Sequence, residues 1–547
     1  MSDCTANEVT VPVPRRSYLS DFKAFMLFLV RRLRHVLILA LVGTALPAQA
    51  EWRRAQTDRF IVYSEGSEAD LRERVILLHR FDRLVRSPFG LSDTPPVRPL
   101  TVFMLSGRDG MEAIYPDVPE NIGGWYSATQ HGIYAALNRR SKGNSLLHEY
   151  VHHLTLQNFP AATPAWFTEG VAMFYATARI EDRETRVGYR DEGRAAVLAY
   201  LPWIPMDRLL SRRALSGTPQ QIAAFYGQSW LLTHYLLSDP MRRQQLVAYL
   251  KAVSEGVPPM EAVQPTFGMT PAELEQALRR YRSSSVPYAV YPTPTSDAVD
   301  IRIETLPPSA DALFPLSIRL NYAQRGTDGP QVLARVRAAA ERWPDDRLAR
   351  MTLAKAEVAW GTAEAAEAAL TTVLAADPVD VEALRWMARM RMTAAQALRD
   401  EAGGREQADT LNRQARAFLS RALVADPDDY RLYLALGRSR RTAPDYPTEN
   451  DLNIWTRAIG LAPQVTAIRG EASEVFARAG QIDTAIALLL PLANDPHGGA
   501  MAARARANIQ ALRPDAEAPD EPEVVPPEGS EDAPAPPEPV APEPDAG

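Results

Sequence analysis

The sequence predicts two folded regions, an α+β domain over residues 51–285 and an all-α array of helix pairs over residues 310–512. In the first region, short apolar stretches typical of strands precede longer stretches with helical periodicity. In the second, prolines recur after helix-like stretches at similar intervals. A chain of 547 residues is also long for a single domain. Residues 286–309, with several prolines and serines, are predicted to be a linker, and residues 513–547 a tail.

The first region begins with alternating strands and helices. Its predicted strands are Phe60–Tyr63, Leu100–Met104 and Gly132–Leu137, and a helix is predicted over Glu68–Val85. Further helices are predicted over 220–237, 240–254 and 271–283. The strand predicted at Gly132–Leu137 directly precedes the most informative motif of the chain.

That motif is His-Glu-Tyr-Val-His at residues 148–152. Residues four apart share a face of a helix, so His148 and His152 can bind one metal ion together. A helix over residues 141–160 is predicted to carry the motif, because Asn144 or Ser145 can cap its start and an apolar stripe follows at Leu147, Val151 and Leu154. The plain alternative is a pair of ordinary polar residues on a partly buried helix.

A catalytic zinc ion usually has three protein ligands and one open position, so a third ligand is expected. Thr163 is a natural N-cap and Pro164 fits a first turn, which predicts a second helix with Glu169 in its second turn. We expect Glu169 to be the third ligand; the alternative is a solvated glutamate. His153 lies about 100° around the helix from His152, so we expect it to have a structural role.

A helix with this motif, a short loop and a helix with a ligand glutamate resemble the gluzincin branch of the zincin metallopeptidases. The Trp166–Gly170 stretch is similar to the peptidase MA-like domains of bacterial envelope proteins, and the resemblance covers roughly residues 51–285. It implies a zincin-like fold and a Zn2+ cofactor. It also implies that Gly132–Leu137 is an edge strand that pairs with extended substrate; the alternative is an ordinary sheet strand. The matching positions are the zinc ligands His148, His152 and Glu169, and Glu149, which would accept a proton from a metal-activated water.

Other positions limit the resemblance. The metzincin pattern fails, because Thr155 and Asn158 stand where it needs a glycine and a histidine. Met173 occupies the position of the aspartate expected in the thermolysin pattern. Tyr226 matches a tyrosine at the start of a later helix that donates to the oxyanion in the aminopeptidase N family; alternatively it packs a helix start. The Gly123–Tyr126 segment lacks the glutamate of that family, so the sequence does not support aminopeptidase activity.

The second region contains a repeat that resembles tetratricopeptide arrays. Prolines 344, 378, 427, 463 and 496 are separated by 34, 49, 36 and 33 residues, and the tetratricopeptide period is 34. Turns into a second helix are predicted at Gly361 and Gly480, and the long interval holds an insert at Asp400–Gln407. The resemblance implies an all-α solenoid whose groove binds a protein partner or a substrate; the alternative is a purely structural helical mass.

The first fifty residues are predicted to be an export signal. Arginines 31, 32 and 34 precede a short apolar run, and Ala48-Gln49-Ala50 matches a cleavage site, so the mature chain is expected to begin at Glu51. A retained membrane anchor is the alternative. The single cysteine, Cys4, falls inside the removed segment, which leaves no disulfide or Cys-type metal site. We therefore expect a periplasmic or secreted protein of the bacterial cell envelope, with no membrane span in the mature chain.

The net charge of −7 is unevenly distributed. Residues 514–547 hold eleven acids, no bases and eleven prolines, which predicts a disordered tail. Without this tail and the first fifty residues, which carry a net +3, the remaining chain is close to neutral. This balance gives no support to nucleic-acid binding.

The sequence thus favours an exported zinc-dependent peptidase that acts on a peptide or protein substrate and recruits a protein partner through its helical repeats. The alternative is a catalytically inactive zincin scaffold that carries a repeat-based protein-binding adaptor. Retention of all four candidate residues of the metal centre favours the peptidase, because an adaptor has no need of them.

Overall fold

The computed structural model describes residues 51–119, 122–140, 144–159, 163–211, 217–283, 287–293, 299–322, 327–399, 401, 403–493 and 499–513. The predicted export signal and the predicted disordered tail from residue 514 lie outside the described residues. The described chain is mostly helical and contains one larger mixed sheet. Within it, no helix has both the length and the apolar character needed to cross a membrane.

A six-stranded sheet forms the centre of the first region, in the order β4-β5-β3-β2-β1-β9. Its strands are β1 (Arg53–Gln56), β2 (Phe60–Ser64), β3 (Leu100–Leu105), β4 (Gly124–Thr129), β5 (Gly132–Asn138) and β9 (Arg302–Thr305). Strands β2, β3 and β5 are parallel, whereas β4, β1 and β9 run antiparallel to their neighbours. The expectation that Gly132–Leu137 is an edge strand is wrong, because β4 covers that side of β5.

Alternating side chains of the sheet enter two different cores, as strand geometry requires. On β3, Val102 and Met104 join the core formed with α1 (Glu68–Arg86) and with the two helices at residues 144–158 and 165–176. Phe103 and Leu105 point to the opposite face, where α2 (Gly107–Ile114) packs. Both faces of this sheet are therefore covered.

Eight further helices and a small sheet complete the first region of the described chain. The helices are α3 (Asn144–Asn158), α4 (Ala165–Ala176), α5 (Glu192–Tyr200), α6 (Met206–Leu209), α7 (Pro219–Leu237), α8 (Pro240–Ser254), α9 (Pro259–Phe267) and α10 (Pro271–Arg282). The small antiparallel sheet consists of β6 (Arg179–Ile180), β7 (Glu184–Val187) and β8 (Ala289–Pro292). The helices predicted over 220–237, 240–254 and 271–283 are thus present with small shifts at their ends.

The segment predicted as a linker differs from the expectation. Strand β8 pairs with β7, and β9 pairs with β1 so that Arg54 lies opposite Glu304 in a 2.8 Å ion pair. The prolines and serines of this segment favour a loop locally, but pairing with distant strands outweighs that local preference.

The second region consists of antiparallel helix pairs that stack in sequence. They are α11 (Ala310–Asn321) with α12 (Gly329–Arg342), α13 (Arg347–Trp360) with α14 (Ala363–Ala376), α15 (Val381–Arg399) with α16 (Arg405–Ala425), α17 (Tyr430–Arg440) with α18 (Glu449–Leu461), and α19 (Thr466–Arg478) with α20 (Ile482–Ala493). Helix α21 (Gly499–Leu512) follows. The region is therefore a helical-repeat fold, as the periodic prolines predict.

The local signals of the repeats lie where the sequence places them. Pro344, Pro378 and Pro427 separate successive pairs, while Pro496 lies outside the described residues. Gly361 and Gly480 lie in the turns within pairs, and the Thr362 side chain caps α14. The predicted insert lengthens α15 and α16 to 19 and 21 residues, against 12 to 14 in most of the other repeat helices.

Candidate metal centre

Helix α3 carries the two histidines of the motif. Its apolar stripe of Leu147, Val151 and Leu154 is buried in the main core, which fixes the rotation of the helix and so the side on which His148 and His152 lie. The described helix covers Asn144–Asn158, so Asn144 and Ser145, the two residues expected to cap its start, lie within it; residues 141–143 and Pro160 lie outside the described residues.

Helix α4 carries Glu169 and begins one residue later than predicted. Pro164 is the N-cap residue with an extended backbone and no side-chain hydrogen bond, while Thr163 instead hydrogen-bonds through its hydroxyl to that of Thr168 at 3.0 Å. The predicted Thr163 cap is therefore wrong, because its hydroxyl is engaged with another side chain. Glu169 still lies in the second turn of the helix.

A glycine permits α4 to approach α7 closely behind the site. An added Cβ at Gly170 would lie 2.6 Å from the Ser229 carbonyl oxygen and would also collide with the Thr233 hydroxyl. The two helices pack directly there, which sets the position of the neighbouring Glu169.

The structure brings the three candidate ligands together. The ligand atoms of His148, His152 and Glu169 all lie within 4.8 Å of one another. The two histidine Nε2 atoms are 3.0 Å apart, and the Glu169 carboxylate oxygens lie 3.5 Å from Nε2 of His148 and 3.7 Å from Nε2 of His152. Glu169 is buried, whereas both histidines retain partial access to solvent.

These spacings and donor types suit a zinc ion. Ligand atoms about 2.1 Å from a tetrahedral zinc are about 3.4 Å from one another, and the three observed separations lie close to that value. Two imidazole nitrogens and one carboxylate are also a common donor set of catalytic zinc sites, which leave one position open. The residues present therefore fit the metal that the sequence predicts.

Glu149 lies beside this cluster in a buried environment. Burial raises the pKa of its carboxyl, while His152 and His148 lower it, Glu169 raises it, and a hydrogen bond from the Tyr126 backbone N–H lowers it. The net direction is upward, which suits a group that must accept and later release a proton. For His152, burial lowers the pKa, but the charge of Glu169 and a hydrogen bond to it outweigh burial and raise the pKa overall.

Tyr226 lies on α7, near both carboxylates. Burial is the largest cause that raises the pKa of its hydroxyl, and the charges of Glu169 and Glu149 raise it further. The hydroxyl thus stays protonated and can donate. The residue lies two turns inside α7 and not at its start, which begins at Pro219.

His153 faces a different part of the molecule and is not among the three clustered ligands. Its Nδ1 lies 3.1 Å from the hydroxyl of Tyr126 on β4, and burial lowers its pKa to about 3, so its ring is neutral. Met173, which stands where the thermolysin pattern has an aspartate, accepts a hydrogen bond from Arg194 Nε through its sulfur at 3.0 Å.

Two residues near the centre were missed by the sequence reasoning. Asp82 on α1 is fully buried and accepts a hydrogen bond from the hydroxyl of Tyr150, the residue that follows Glu149. Tyr126 donates its backbone N–H to Glu149. Both contacts join distant parts of the chain, and no local pattern signals them.

The comparisons with known proteins give a family without an assigned activity. A family model described as "Protein of unknown function (DUF1570)" matches residues 144–261, which include the three clustered ligands, Glu149 and Tyr226. No curated protein matches the chain.

Two solved structures are similar to part of the chain. One is TTC0263, a thermophilic TPR protein of Thermus thermophilus, at 20% identity and a TM-score of 0.31, covering 36% of this chain and 97% of that one. The other is PilW, a widely conserved type IV pilus biogenesis factor, at 18% identity and a TM-score of 0.25, covering 37% and 94%. Neither bears on the peptidase resemblance.

Proposed function

We propose that the chain is an exported zinc-dependent peptidase. The observation that carries the proposal is the convergence of two imidazoles and one buried carboxylate from α3 and α4, with Glu149 beside them. His148, His152 and Glu169 would hold the ion. When bound, zinc would supply an activated water and polarise the substrate carbonyl.

The side chains of the chain itself account for the remaining steps. Glu149 accepts the proton of the attacking water and passes it to the leaving amine, for which its raised pKa is suitable. Tyr226, kept protonated, donates to the oxyanion that develops on the substrate. Strand β4 is the outer strand of the sheet in the described residues and, apart from the Tyr126 N–H, would pair with an extended peptide in the role first expected of β5.

The test compares wild type with Glu149→Gln. The variant keeps the shape of the side chain but not its basicity, so we expect hydrolysis of internally quenched fluorescent peptides to fall by at least about a hundredfold while zinc is retained. Comparison of cleaved envelope peptides between cells with the two proteins would then identify substrates. Full activity of Glu149→Gln would refute the mechanism.

A second candidate is an adaptor whose helical repeats bind a protein while the first region serves as a scaffold. Residues 310–512 favour it, because stacked helix pairs of this kind present extended surfaces for protein binding. An adaptor needs neither zinc nor Glu149. A protein that carries no zinc after expression in metal-replete medium, yet retains a bound protein partner, would favour this candidate over the peptidase.

A further inference from the structure

The hairpin of β4 and β5 makes polar contacts with the helical repeats. Tyr430, the first residue of α17, donates its hydroxyl to the Thr129 carbonyl at 2.7 Å. Arg438, two turns further along α17, donates to the side-chain oxygen of Gln130 at the tip of the hairpin. These contacts span about 300 positions of sequence.

Apolar packing accompanies them. Ala128 on β4 and Ile133 on β5 pack against the buried core of the last helix pairs, which includes Tyr430, Trp455 and Ile468. The hairpin therefore packs against the hydrophobic core of the repeats.

The tip of the hairpin lies near four arginines of the repeats, of which Arg431 and Arg438 are themselves paired with Asp429 and Glu471. His131 has its pKa lowered to about 3, first by burial and then by the charges of Arg389, Arg385, Arg438 and Arg431. These four arginines belong to α15 and α17. The imidazole is therefore neutral among four guanidinium groups, and its protonation would oppose this packing.

The first helix of successive pairs meets the first region of the chain. Phe314 on α11 and Leu348 on α13 pack in the core on the second face of the sheet. Arg389 on α15 and Tyr430 on α17 face the hairpin, as above. Gln464, just before α19, hydrogen-bonds to the Tyr126 hydroxyl of β4. The side of the array formed by these helices is thus engaged with this chain itself.

Tyr126 connects this interface to the candidate metal centre. Burial raises the pKa of Glu149, which lies one helical turn before His153 on α3, and the Tyr126 backbone N–H lowers it in part. The Tyr126 ring packs edge-on against His153 of α3, and its hydroxyl lies 3.1 Å from Nδ1 of that residue. The same hydroxyl accepts from Gln464.

We infer that Tyr126 is a positioning residue for α3, the helix that carries Glu149, and that the helical repeats hold it in place by binding the β4–β5 hairpin. The catalytic consequence of this inference rests on the proposed function, whereas the mechanical link between the repeats and α3 does not. By binding the outer strand β4, the helical repeats maintain the geometry of the candidate metal centre. They do so in addition to binding any external partner.

The test uses Tyr430→Phe in the full mature chain, which removes the hydroxyl that binds the hairpin and keeps the buried ring. The matched control is Tyr433→Phe, whose hydroxyl donates to the Pro427 carbonyl at 2.9 Å within the repeats. We expect amide hydrogen exchange in peptides 124–138 and 144–158 to become roughly fivefold faster in Tyr430→Phe and to stay unchanged in the control. Zinc content should be the same in all three proteins.

Activity provides the second readout. On the best-cleaved member of an internally quenched peptide library, Tyr430→Phe and Tyr126→Phe should lower kcat roughly fivefold or more with little change in KM, because Glu149 acts in the transition state. Circular dichroism shows whether each variant folds. If Tyr126→Phe does not fold, Tyr430→Phe alone tests the inference.

The outcomes separate the two proposals. If wild type cleaves no peptide, the proposed function fails, while exchange still decides whether the repeats act on α3. Unchanged amide exchange in peptide 124–138 of Tyr430→Phe would refute the claim that the repeats hold the β4–β5 hairpin in place. Faster exchange there with unchanged exchange in 144–158, or with unchanged kcat in an active enzyme, would refute the link to Glu149.

Discussion

Replacement of Asp82 should destabilise the packing of α1 against α3, the helix that carries His148 and His152, more than replacement of any exposed residue nearby. Its buried carboxylate accepts hydrogen bonds from Tyr150 and from Arg86 Nε at 2.6 Å, and it pairs with Arg59 Nη1 at 3.2 Å. Asp82→Ala would leave the two guanidinium groups, 6% and 9% exposed, without this partner. Loss of one member of a buried ion pair costs about 3–5 kcal/mol, and we expect about 3–4 kcal/mol here because Arg59 keeps Asp93.

Two further variants calibrate that value. Tyr150→Phe removes one hydrogen bond to a carboxylate that keeps both arginines, so about 1–2 kcal/mol is expected. Asp93→Ala removes the other partner of Arg59. Because the Asp93 side chain is 68% exposed, this substitution should lower the stability by less than about 1 kcal/mol. Urea unfolding followed by tryptophan fluorescence measures all three. The reasoning is refuted if Asp82→Ala destabilises the protein no more than Asp93→Ala.

Further predictions concern the centre and the hairpin. Tyr226→Phe should lower kcat roughly 10- to 100-fold at constant zinc content, and an unchanged kcat in steady-state assays would leave the residue a packing role. Gly170→Ala should cost about 1–3 kcal/mol in thermal unfolding, because its Cβ would lie 2.6 Å from the Ser229 carbonyl oxygen; a neutral effect would contradict the close approach of α4 and α7. The pKa of His131 is lowered to about 3 in the bound hairpin, so its imidazole binds a proton more readily when the hairpin is released from the repeats. Binding of the hairpin to the repeats is therefore strongest above about pH 6.5 and weakens by up to about tenfold per pH unit as the pH falls toward 3. Exchange in peptide 124–138, corrected for its intrinsic pH dependence, should therefore rise between pH 7 and 5, and the rise should be absent in His131→Gln.

Local sequence patterns account for much of the centre. His148 and His152 share a helix face through a spacing of four, and Glu169 follows on the next helix after a short connection. Each of these relations extends over about twenty residues, which is the range where periodicity and helix signals are informative. The three candidate ligands could therefore be named without knowledge of the tertiary fold.

The remaining parts depend on contacts between distant residues. Strand β4 has no alternation of buried and exposed residues, since all six of its residues are partly buried, and its pairing displaced β5 from the predicted edge. The sequence predicts a linker where β9 forms, because the partner strand β1 lies about 250 positions earlier. Tyr126 joins Glu149 to Gln464 across two regions of the chain. No window of sequence contains such relations, and the burial that creates them arises only in the folded protein.

The metal content of the purified mature chain tests the central claim most directly. We predict one zinc per chain by atomic absorption for wild type and for Glu149→Gln, and a loss of the ion in single alanine variants of His148, His152 and Glu169. Wild-type protein without zinc after expression in metal-replete medium, or zinc retained by all three ligand variants, would contradict the account.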